Sequence, residues 1–495
     1  MDADAPTPAP TPAHLDRLVN ALAVNPALPA ALVRRLIARR NGLGKVAGRP
    51  DLTEDTVAEI IATDDPWLLR GLALNDRLPH RFRLVLADHR DKGVRAALAR
   101  RAASAPRQVL DRLVGDPHPT VREYLAQQDA TPPDLRARLA ADPEPAVRAA
   151  LAKYWTQAPE TVRRILLTDP EAAVRAAACS TYYARLPHPV PPADLLPALL
   201  ADPVTRAGAV VHAVLDTHLL RRLADDPDSA VRAELARHPD LPPAVREALA
   251  DDPALSVRVK VFARPDTPEH LRARIHAQAR AFAHAAAEPA LDADDETFLR
   301  WVEDTAASAE LRTLGLAWVT DDPLPHVGSP YVAFRACAAL STALPADAVA
   351  RLLRDEEETV RLTMAHTAPH LVDPATAEDI ERRYRPRADK FTFWWDKAQV
   401  LTFPPQTLRR FATDPVPRLR SLAPRDPGLP AHLAEQLARD PEERVRLAVA
   451  PHRNLPLPAL LDLLADPSPR VAQAAAASPF LPVEHMERLL RRAGL

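Results

Sequence analysis

The sequence predicts an all-α chain: a right-handed α-solenoid of about sixteen to eighteen two-helix repeats, each of about 26 residues. Three observations predict it. A seven-residue string, Asp-Pro-x-x-x-Val-Arg, returns at near-constant spacing along the chain. Proline is abundant and regularly placed, with 54 prolines against 11 glycines. Apolar residues recur at helical spacing, and the alternation expected of β-strands is missing.

The string runs Asp116 to Arg122, Asp142 to Arg148, Asp169 to Arg175, Asp226 to Arg232, Asp252 to Arg258 and Asp440 to Arg446. Looser copies are Asp355 to Arg361, Asp414 to Arg420, and Asp466 to Ala472, where alanine replaces the arginine. Steps through Arg70, Arg95, Arg122, Arg148 and Arg175 are 25, 27, 26 and 27 residues. From Arg258 to Arg312 the step is 54, two periods with one unreadable copy between. A second signature, His238-Pro239-Asp240-Leu241-Pro242, returns at Asn25 to Pro29, Asp426 to Pro430 and Ser478 to Pro482.

Each repeat therefore reads as two helices of roughly nine to eleven residues with a proline near the first turn of each. The preceding Asp is expected to accept from the first amides and to complement the helix dipole. Val231, Leu235, Val245, Leu249, Val257 and Val261 are the expected core of one such unit. Helices this short cannot bury a face alone, so neighbouring repeats must stack. The Asp–Arg pairs (Asp116, Arg122, Asp142, Arg148, Asp169, Arg175, Asp226, Arg232, Asp252, Arg258, Asp440 and Arg446) are expected to form a structural ladder between repeats rather than a phosphate-reading stripe.

The Asp and Arg six apart, with Val before the Arg, resemble the ladder positions of HEAT-like (armadillo-like) α-solenoid repeats. The short period, the paired prolines and Leu223-Ala224-Asp225-Asp226-Pro227 resemble more closely the bacterial leucine-rich repeat variant. That resemblance covers about residues 16 to 495 and implies alternating α and 3₁₀ helices. Some members of that family carry a cysteine cluster before the repeats. No cysteine precedes Cys179 here, so iron–sulphur chemistry is not implied.

Composition narrows the function classes. Lys+Arg 64 against Asp+Glu 66 gives a net charge of −2, so no global charge draws the chain to nucleic acid or an anionic membrane. Two cysteines, Cys179 and Cys337, exclude a disulfide-stapled framework and a four-cysteine metal site. The acidic, Pro-rich start does not read as a signal peptide, and no apolar run is long enough to cross a membrane. A cytoplasmic protein is expected.

Asn41-Gly42-Leu43-Gly44-Lys45 fails as a phosphate loop, because one residue separates the glycines and Val46 follows the lysine. The 17 histidines are scattered; His118 and His238, at repeat turns, are expected to be exposed. No catalytic set, metal site or cofactor motif is found, so the expectation is no enzyme, no metal and no cofactor.

The chain divides by sequence into a disordered Pro-rich tail (1–15), an N-terminal repeat array (16–270), degenerate repeats (271–373), an aromatic and Arg-rich insertion (374–413) and C-terminal repeats (414–495). Function is expected where the period breaks, since insertions map to loops. The insertion carries Arg382, Arg383, Arg385 and Arg387, then Phe391, Phe393, Trp394 and Trp395, a mixture enriched at protein interfaces. These eight are the candidate partner-binding residues of a non-enzymatic protein-binding scaffold. The alternative is a nucleic-acid-binding protein similar to HEAT-like DNA-repair glycosylases, using the basic runs at 34–49, 260–280 and 382–390. Balanced overall charge disfavours it.

Overall fold

A computed structural model describes residues 12–38, 44–179, 190–285, 295–311, 314–385 and 401–495. Among these, every regular element is a helix. The architecture is an α-solenoid: short helices alternate along the chain, and within each unit second helices pack on the second helix of the next repeat, as Pro66–Ala73 does on Lys92–Ala99 and Ser229–Ala236 on Leu255–Phe262. The chain folds into two compact units, one from residues 1–139 with 403–495 and one from residues 140–402.

One repeat of the second unit shows why these residues fold as they do. Ser229–Ala236 is followed by Pro243–Leu249 and then by Leu255–Phe262. Val231, Leu235, Leu249, Val257 and Val261 are buried, while Val245 is half-buried. Pro243 opens its helix at the first position, where a missing N–H costs nothing. The helices are seven or eight residues long, shorter than the sequence suggests, because each ends at its own tight turn.

The aspartate of the string is not the helix cap that the sequence suggests. Asp226 lies in the turn before the helix, and its carboxylate accepts from the backbone N–H of Asp228 at 3.0 Å. Asp228 is the N-cap, accepting from Ala230 N at 2.9 Å. Asp116, Asp142, Asp169, Asp252, Asp440 and Asp466 hold the same turn, each accepting from the N–H two residues on.

That geometry frees the second carboxylate oxygen for the preceding repeat. Arg232 donates to the Asp252 carboxylate at 2.7 and 3.0 Å and to the carbonyl of Asp226 in its own repeat at 2.7 Å. Arg95–Asp116, Arg148–Asp169, Arg175–Asp202, Arg206–Asp226, Arg335–Asp355, Arg420–Asp440 and Arg446–Asp466 are pairs of the same kind. Arg122 donates to the carbonyl of Asp116, and Asp142 caps its own turn. The guanidinium therefore spans two repeats, with carboxylate and carbonyl satisfied together.

A second rung crosses at the other signature. His238 is buried, not exposed: its Nε2 meets the carbonyl of Ala213 at 2.9 Å and its Nδ1 accepts from Asp240 N. Asn75 does the same work, donating to the carbonyls of Ala47 and Arg49. Arg49, the last of the basic run 34–49, is buried and donates to the carbonyls of Ala23 and Asn25. His118 is a half-buried N-cap, its Nδ1 accepting from Thr120 N. The helix Pro12–Leu22 begins inside the segment read from sequence as a tail.

Candidate partner-binding site

The period lapses after Leu255–Phe262. Two long helices follow, Glu269–Ala285 and Asp295–Glu310, then the short Ala317–Asp321 and Leu324–His326, and then Val332–Ala338. The ladder changes chemistry at the same place. Arg258 finds Gln278 rather than an aspartate, at 2.8 Å. Arg335 donates to the carbonyl of Ser329 six residues back, the place aspartate holds elsewhere, so no carboxylate is present there to tie that repeat backward.

Asp295–Glu310 is instead fixed to the preceding repeat from its own side. Asp304 accepts from Leu255 N at 3.0 Å, and Glu310 pairs with Lys260. A cleft of about 470 Å³ opens beside it, lined by Phe262, His276, Arg280, Leu311, Tyr331 and Glu357 among others.

The cleft floor is an aromatic cluster. Phe262 packs edge-on to Tyr331 at 5.2 Å, and Tyr331 meets His276 at 5.1 Å. Behind them Arg272 lies over the rings of Trp318 and Phe334 at 5.6 and 5.3 Å, and donates to the carbonyl of Arg264. Trp318 Nε1 donates to the carbonyl of Ala263 at 3.0 Å. The polar tips of Tyr331, Trp318 and Arg272 in this wall each have a hydrogen-bond partner.

Electrostatics follow from burial. Burial, reinforced by the hydrogen bond to Glu269, pushes the Tyr331 hydroxyl up to about 12, so it stays a donor. Burial lowers the pKa of His276, and the Arg280 charge lowers it further, so the imidazole is neutral near pH 7. Arg280 is exposed at the rim, and among the described residues no carboxylate pairs with it. Glu356, loosely paired with Arg335 at 3.4 Å, and Glu357 form the opposite lip. The result is a cleft with an aromatic floor and one basic and one acidic edge. Among the described residues no group of three His, Cys, Asp or Glu side chains could hold a metal ion.

The residues singled out in the insertion have other surroundings. Arg382 pairs with Glu378 at 2.7 Å and Arg383 with Asp379 at 3.1 Å, along the helix Pro374–Arg383. Arg385 donates from its backbone N to Glu358 and from its guanidinium to the carbonyl of Arg382. Tyr384 is buried, and Phe403 packs edge-on to Phe411 at 5.3 Å. Arg387, Phe391, Phe393, Trp394 and Trp395 lie outside the described residues. Most of the basic run 260–280 is also engaged: Lys260 with Glu310, Arg264 with Asp266, Arg274 with Asp251. No helix among the described residues is long and apolar enough to cross a membrane.

The sequence signals for the cleft were the absence of any Asp-Pro string between Pro268 and Val319 and the absence of a ladder aspartate at Ser329.

No family model matches the chain, and no curated protein matches it. Among solved structures, Kap121p bound to Ste12p overlays with a TM-score of 0.26 and 15% identity, over 94% of this chain and 55% of that one. The karyopherin Kap121p bound to the extreme C-terminus of the protein phosphatase Cdc14p gives 0.22 and 13%, over 98% and 55%. An engineered protein gives 0.13 and 15%, over 97% and 99%. The chain spans about half the length of the karyopherin structures it matches.

Proposed function

We propose that the chain is a non-enzymatic protein-binding scaffold of the leucine-rich repeat variant type, acting in a bacterial cytoplasm. Its anchoring site is the cleft beside Glu269–Ala285, with the Arg- and Trp-rich stretch 382–395 contributing specificity. The observation that carries the reading is the cleft's composition: an apolar aromatic floor, and at the rim a guanidinium, Arg280, with no carboxylate partner among the described residues. Ladder arginines such as Arg232, Arg420 and Arg446 are held by carboxylates, whereas Arg280 stands over an aromatic floor with its guanidinium open to a partner.

The test is capture of tagged protein from host lysate, with and without nuclease, alongside Ala283→Trp and Trp394→Ala/Trp395→Ala variants. Ala283 is exposed on the cleft wall, so a tryptophan there fills the cleft without entering the core. A discrete protein that survives nuclease and is lost from Ala283→Trp supports the reading. Partners that vanish with nuclease, or that Ala283→Trp retains in full, overturn it.

A further inference from the structure

The helix Pro12–Leu22 packs against Pro469–Ala476 and Val483–Arg492, at the far end of the sequence. The contact copies the one between consecutive repeats. Asn75 Nδ2 donates to the carbonyls of Ala47 and Arg49, 28 and 26 residues earlier, at 3.1 and 2.8 Å. Asn25 Nδ2 donates to the carbonyls of Ala476 and Ser478 at 2.9 and 2.7 Å, across 451 and 453 residues of sequence. The two carbonyls are again two residues apart, and Asn25 is fully buried. Residues 12–25 thus occupy the place of the repeat that would follow residue 492, in the correct register.

The joint is weaker than an ordinary step in one respect. Arg420 and Arg446 each reach the aspartate of the following repeat, but the next position in that series, 26 residues beyond Arg446, is Ala472. That rung has no guanidinium. What holds the joint is the Asn25 amide, a hydrogen bond from Arg35 to the Leu495 carbonyl, and apolar packing. The packed residues include Leu18, Val19 and Leu22 on one side and Val471, Ala472, Ala476 and Leu490 on the other, all buried.

We infer that this joint is an exchangeable contact surface whose fitting partner is a second copy of the chain. Its two faces differ, so it is heterologous: the 12–25 face of one copy fits the 469–492 face of another as well as it fits its own. Closure within one chain is favoured by effective concentration, and opening bares two apolar faces that each need a cover. When closure within the chain is blocked, the same contact joins two chains head to tail.

Two full-length variants test this. Asn25→Trp places an indole where the amide meets the two carbonyls, and blocks the first face only. Ala472→Trp fills a fully buried site at the position whose counterparts reach the next repeat, and blocks the second face only. Alone, each variant is expected to run at the monomer mass of 54.2 kDa. Mixed in equal amounts at tens of micromolar, they retain one good face of each kind, and a twofold rise in mass by light scattering is expected. Placing both changes on one chain should abolish the rise. Absence of a heterodimer in the mixture, or equal association of either variant alone, overturns the inference. Far-UV circular dichroism checks that helix content is kept, and Asn25→Leu replaces Asn25→Trp should it not be.

Discussion

Removing a single ladder carboxylate is the sharpest perturbation of the array. In Asp252→Ala, Arg232 loses bonds of 2.7 and 3.0 Å and keeps only the carbonyls of Asp226 and Pro227. The N–H of Ala254 also loses its acceptor. Both partners are well shielded, with side-chain exposures of 13% and 5%, so the orphaned guanidinium is not rescued by water. Breaking a buried pair costs about 3–5 kcal/mol; the surviving carbonyl bonds place this one near about 3 kcal/mol. Asp252→Asn keeps the turn acceptor and should cost about 1 kcal/mol. Replacing both partners, Arg232→Met with Asp252→Leu, should recover most of the loss, because no charge is left buried. Glu59→Ala, which breaks the half-exposed Arg34–Glu59 pair (49% and 45%), should cost less than about 1 kcal/mol. Hydrogen exchange read by mass spectrometry resolves these locally. A loss of about 3 kcal/mol speeds exchange in Ser229–Ala236 and Leu255–Phe262 by about a hundredfold. A rise below tenfold, or a double variant as labile as Asp252→Ala, would refute the ladder account.

Four further outcomes are expected. Gly208 leaves no room for a side chain, since a Cβ would stand 1.6 Å from the Cys179 carbonyl oxygen, so Gly208→Ala should lower stability by about 3 kcal/mol in urea titrations. Burial pushes the Cys179 thiol up to about 12, so it should resist iodoacetamide at pH 8 until the chain unfolds; rapid native labelling would contradict this. The hydrogen bond from Arg148 holds the Asp169 carboxyl below its usual range, so its contribution is present above about pH 4 and is lost as pH falls through the depressed folded value. His276 has the same sign for a different reason: buried neutral, it favours the fold above about pH 6.5 and opposes it as pH falls toward its lowered value. His276→Gln should flatten the pH 5–7 dependence of exchange around the cleft, and an unchanged profile would count against the assignment.

Much of the fold was legible because the repeat writes its own chemistry. Asp226, Val231 and Arg232 sit where turn, core and rung require them, and the pattern recurs often enough to fix the period. Less legible was which carboxylate each arginine meets. Asp226 and Arg232 are close in sequence, yet Arg232 takes the carbonyl of Asp226 and not its carboxylate, and pairs with the carboxylate of Asp252, because the Asp226 carboxylate is spent on its own turn. Without that twenty-residue offset, Gln278 and Ser329 look like ordinary polar residues rather than lapses in the ladder. His238 was misread as exposed for a similar reason: its partner, the carbonyl of Ala213, belongs to a repeat whose signature is degenerate. The joint at Asn25 could not be read at all, since nothing local tells an amide that its acceptors lie at 476 and 478.

The central claim, that a partner segment is held in the cleft where the ladder lapses, is most directly tested by site-specific photocrosslinking in the host. A benzophenone side chain replaces Ala283 on the cleft wall or, as a control, exposed Glu247 on a regular repeat. The account predicts a discrete protein adduct from position 283 and none from 247. No adduct at 283, or the same adducts from both positions, would contradict it.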